Sequence, residues 1–138
     1  MRTLVLFAAL ATPASAQDAP ARRSATDFAP EHRTQIAAAG QLAGEIQACE
    51  LEWESYYLAY MRSERRRAEN EGFDPDSEAY GRRVAVIGAF FGAIQGREVA
   101  RRSDEPCPLE RLPVLSERMK AVLDTARARE TTGVSGSE

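Results

Sequence analysis

Apolar residues in this chain recur at intervals of three and four and never alternate, which restricts it to helices. The stripe Ala39, Leu42, Ile46, Cys49, Trp53, Tyr56 and Tyr60 keeps that spacing throughout. A strand, whose side chains alternate between faces, cannot place those residues on one side. The stripe reads as a first helix that starts near Pro30, a residue tolerated in a first turn, and runs to about Asn70. Thr26 or Asp27 is its candidate cap, and Gly40 to Gly44 is the place where so long a helix could break, its continuity being left open.

Glu71-Gly72-Phe73-Asp74-Pro75 interrupts the pattern, with Gly72 suited to the left-handed position after a helix. Asp76 or Ser77 can cap a second helix carrying Tyr80, Val84, Ile87, Phe91 and Ile94, which ends near Arg101 to Ser103. Pro106-Cys107-Pro108 is an extended connector, and Leu112, Leu115, Met119, Val122 and Ala126 mark a third helix. The fold class expected is therefore all-α: an antiparallel hairpin plus a C-terminal helix, one small three-helix domain over residues 30–130. Residues 17–29 read as a flexible segment and residues 131–138 as a disordered tail.

The first sixteen residues read as a secretory leader. Met1-Arg2-Thr3 is cationic, Leu4 to Ala11 is apolar, and Ala14-Ser15-Ala16 offers a cleavage site before Gln17. The apolar run is far shorter than the roughly twenty residues that span a bilayer, so no membrane span is expected. Export to the periplasm would place Cys49 and Cys107 in an oxidising space, where a disulfide is their natural state.

Glycines divide the second helix. Its large apolar residues occupy one side, while Gly81, Gly88, Gly92 and Gly96 lie along the other. Each costs about 1 kcal/mol relative to alanine, so an approaching backbone is expected on that side. Gly40 and Gly44 form a further small strip on the first helix. These six glycines are the candidate packing or dimer ridge, with the third helix or a second copy as the covering element. Folding about Phe73 also brings Glu45, Glu50, Glu52 and Glu54 level with Arg97, Arg101 and Arg102.

Few chemistries find residues here. The formal charge is −3 over 138 residues, and that acidity argues against nucleic acid, whose affinity rests on Lys and Arg. No Cys-x-x-Cys-His or Cys-x-x-Cys occurs, and one His with two Cys makes a poor metal set. His32 reads as a capping or surface residue. Glu50 and Glu54 read as a solvated face rather than an acid–base pair. Trp53, Tyr56, Tyr57, Tyr60, Arg62 and Arg66 make the candidate binding surface, with core the competing role for the aromatic rings. The expectation is an exported, soluble, non-enzymatic protein without cofactor or metal. It would bind an unidentified envelope protein as an interaction or accessory factor. The alternative is a small-ligand binder using the aromatic residues.

Overall fold

The computed structural model describes residues 24–130. Over that span the chain is all-helical, with α1 at Pro30–Ala48, α2 at Glu54–Asn70, α3 at Glu78–Arg102 and α4 at Arg111–Glu130. The leader expected at 1–16, the start of the segment at 17–29 and the tail expected at 131–138 lie outside the described residues.

Four helices replace the expected three because the first is not continuous. It breaks neither at Gly40 nor at Gly44; α1 ends at Ala48 and α2 starts at Glu54. Glu50 turns the chain with φ 55°, and the Leu51 N–H donates to the Ile46 carbonyl at 3.1 Å. The Glu52 carboxylate then accepts from the Ser55 N–H at 2.7 Å, satisfying a first-turn donor of α2. The left-handed turn at Glu50 costs about 1 kcal/mol. Burying the rings of Tyr56 and Tyr60 offsets that, at about 2 kcal/mol each. In an unbroken helix Ala39 and Tyr56 would stand about 25 Å apart along the axis. Here the Tyr56 hydroxyl donates to the Ala39 carbonyl at 3.1 Å.

The second break follows its signals. Gly72 takes φ 97°, and the Ser77 hydroxyl accepts from the Tyr80 N–H at 3.1 Å to cap α3. Because α2 runs back along α1, α3 returns parallel to α1 rather than antiparallel to it. The Asp27 carbonyl meets Arg83 near the start of both, and Glu45 meets Arg102 at 3.2 Å near the end of both.

The close-packed glycines sit on α1. A Cβ on Gly40 would lie 2.7 Å from the Phe91 carbonyl oxygen, and one on Gly44 would lie 2.7 Å from that of Gln95. These two notches let α3 seat its backbone against α1, whose Ile36, Leu42 and Ile46 form the core with Ile87 and Phe91. The cover expected for α3 from the third helix is absent among the described residues. At Gly81, Gly92 and Gly96 a Cβ would meet nothing within 4 Å, and at Gly88 only ordinary contacts with Tyr57 and Met61. The central rod is α1, and α3 turns its small-residue side outward.

Cys49 and Cys107 are bonded, with Cα atoms 5.2 Å apart. The bridge ties the end of α1 to the connector before α4. That matters for α4, which fully buries only Leu115, while Met119, Val122, Leu123 and Ala126 pack half-buried against the core. Arg118 reaches Glu45 at 2.6 Å, and the Ser63 hydroxyl donates to Glu130 at 2.6 Å. The last part of the 17–29 segment packs against the bundle. Ala25 is buried, and Phe28 packs on the core and edge-on against His32. No described helix is long and apolar enough to cross a membrane.

Candidate functional site

The aromatic binding surface expected from the sequence does not form as one surface. Tyr56 and Tyr60 are buried, and with Tyr57 they ring Phe91 at centroid distances of 5.2 to 6.3 Å. Trp53 stands half-buried at the edge, stacked edge-on against Tyr57. Arg62 and Arg66 point outward, Arg66 lying 3.6 Å from Glu130. The rings are core, and the two guanidiniums belong to a different face.

What the chain does present to solvent is the outer side of α3. Gly81, Ala85, Ala89, Gly92, Gly96 and Ala100 are all exposed on one strip about 28 Å long. Its ends differ in charge. Asp76 and Glu78 stand exposed at the start of α3, Arg97 and Arg101 at its end.

A second feature was missed by sequence reasoning, a buried polar network where α1, α2 and the start of α3 meet. His32 is 1% exposed and donates through Nε2 to Glu64 at 2.7 Å. Tyr60 donates to the other oxygen of the same carboxylate at 2.8 Å. Burial works against the charge of Glu64, but the bonds from His32 and Tyr60 and the nearby Arg67 outweigh it, holding the carboxyl below its ordinary range. Burial, then the Glu64 charge, pushes the Tyr60 phenol up. Arg67 donates to Gln35 at 3.0 Å and to Glu71 at 3.1 Å. Glu71 also accepts from Arg83 at 2.8 Å, whose guanidinium lies over the rings of Phe28 and Phe73. The sequence held one signal for this network: Tyr60 and Glu64 share a face one turn apart, and His32 continues the face of Ile36 and Ala39.

Glu64 and Tyr60 also form part of the wall of a cavity of about 300 Å³ between α1, α2 and α4. Ala38, Ala121 and Val122 supply apolar wall, while Arg67 and Arg129 border it as well. At the opposite end of the bundle Glu98 accepts from both Arg101 and Arg102. The bond from Arg101, ahead of opposing burial, holds its carboxyl below the usual range. Among the described residues no group of three or more His, Cys, Asp or Glu side chains is placed to hold a metal. No family model, curated protein or solved structure matches this chain.

Proposed function

We propose that the chain is an exported, non-enzymatic interaction or accessory factor of the cell envelope that docks a protein partner on the outer face of α3. The observation that carries the reading is the open space at Gly81, Gly92 and Gly96. Three helix-interior glycines cost about 1 kcal/mol each, and the chain's own packing gives no return for them. A partner helix seated on the strip would use the absence of a Cβ, as α3 itself uses Gly40 and Gly44. The Cys49–Cys107 bond supports the exported location, because such bridges persist in oxidising compartments. The buried carboxylates support the non-enzymatic reading, since Glu45, Glu64 and Glu98 are each engaged by cationic or hydroxyl partners.

The test is photo-crosslinking in the native envelope, with the crosslinker placed at Ala89 or Gly92 and, as a control, at Arg127 on α4. Adducts from the α3 positions alone are expected; adducts equally abundant at Arg127, or none at α3, refute the reading. Light scattering of the purified chain then distinguishes a homodimer from a foreign partner. A second reading, small-ligand binding, is favoured by the cavity between α1, α2 and α4 rather than by the aromatic rings.

A further inference from the structure

That cavity has a direction. Three pairs fix how its helices run: Gln35 bonds Arg67, Arg118 pairs with Glu45, and Ser63 bonds Glu130. The start of α1 and the ends of α2 and α4 therefore lie together. Going toward that end, the wall passes from Ala38 to Thr34 on α1, from Tyr60 to Arg67 on α2, and from Val122 to Arg129 on α4. One end is aliphatic and the other carries two guanidiniums from different helices. Small-molecule sites share this plan, apolar walls with a few converging polar groups, and the volume falls at the lower limit of their usual range of about 300–1,000 Å³. At about 30 Å³ for a water-sized group, it accommodates a ligand of about ten such groups.

At the polar end Glu64 and Glu71 stand against Arg67, and it is the donors left over that suit an anion. Both oxygens of Glu64 already accept hydrogen bonds, from His32 and from Tyr60. Arg67 makes its bonds to described residues through Nε and Nη1, so its Nη2 donors are the ones a ligand can take. A planar guanidinium is the side chain best shaped to receive a carboxylate. We propose that the cavity binds a medium-chain carboxylic acid, its alkyl chain against Ala38, Ala121 and Val122 and its carboxylate at Arg67. The proposal rests on the small-ligand reading and is independent of the α3 face.

The experiment is calorimetric titration of the full chain at neutral pH with octanoate, octanol and octylammonium, each below its aggregation limit. The expected result is one octanoate per chain, bound about tenfold or more tighter than octylammonium, a ratio that one charge-assisted hydrogen bond supplies. Arg67→Gln should weaken octanoate about tenfold and leave octanol unchanged. Two variants that fill the wall from exposed positions, Ala38→Leu and Ala121→Leu, should abolish binding of both while keeping the wild-type helical spectrum. Octylammonium or octanol binding as tightly as octanoate overturns the acid as ligand and leaves the small-ligand reading standing. No saturable binding of any probe overturns both. Unchanged octanoate binding in the folded wall variants places the acid elsewhere and overturns the site.

Discussion

Replacing Gly92 by alanine should stabilise the chain, and replacing Gly44 by alanine should weaken it. Both glycines lie inside helices, so each substitution gains about 1 kcal/mol from the backbone preference of alanine. At Gly92 that gain stands alone, because the new Cβ meets nothing within 4 Å. At Gly44 the Cβ would fall 2.7 Å from the Gln95 carbonyl oxygen and 2.5 Å from the Glu98 Cβ. The first obstacle is backbone, which no rotamer change relieves, so α1 and α3 must separate by a few tenths of an ångström along their tightest contact. Overpacking of this kind costs about 1–3 kcal/mol, for a net loss of about 1 kcal/mol. Urea unfolding followed by far-UV circular dichroism, with m held constant, reads both changes. In a domain of this size each should move Tm by about 4 °C, in opposite directions. A stabilising Gly44→Ala would mean that α1 and α3 are not in close contact. A destabilising Gly92→Ala would mean that the outer face of α3 is covered in the isolated chain.

Reducing the Cys49–Cys107 bridge, which spans a sequence separation of 58, should cost up to about 4 kcal/mol, measured as the shift of the urea midpoint with and without reductant; no shift would remove it as the anchor of α4. Acid should unfold the chain partly through Glu64. Its folded pKa lies below the unfolded value of about 4.3, so its contribution is complete above that value and is lost as pH falls through the folded pKa. Glu64→Gln should therefore flatten the stability–pH profile below about pH 4.5, and an unchanged acid limb would contradict the buried pair. Tyr56→Phe should cost about 1 kcal/mol by removing the bond its hydroxyl donates to the Ala39 carbonyl, and an unaltered urea midpoint would count against the fold-back of α2 on α1.

Spacing carried much of this architecture. Intervals of three and four identified every helical region, and Gly72 and Ser77 marked the turn before α3 in the way their chemistry requires. With two cysteines there was one intramolecular pairing to expect, and it is present. The break at Cys49 to Trp53 was hidden because it contains neither glycine nor proline. Its turn falls on Glu50, and the apolar stripe carries through it at unchanged spacing, Ile46 to Cys49 to Trp53 to Tyr56. Missing that break also hid which of the six glycines pack within the chain. Inserting one more antiparallel helix makes α3 parallel to α1, so Gly40 and Gly44 become the contact and Gly81, Gly92 and Gly96 face out. The polar network escaped notice for a related reason. His32 and Glu64 are 32 residues apart and meet only once α2 folds back. The two-ended cavity likewise depends on α4 lying alongside α2, which no local pattern encodes.

Solvent paramagnetic relaxation of the glycine α-protons, recorded on the isolated chain in solution, separates the two arrangements in one spectrum. The structure predicts strong enhancement at Gly81, Gly92 and Gly96 and protection at Gly40 and Gly44. Protection along α3 with exposure on α1 would contradict both the packing of the helices and the docking face built on it.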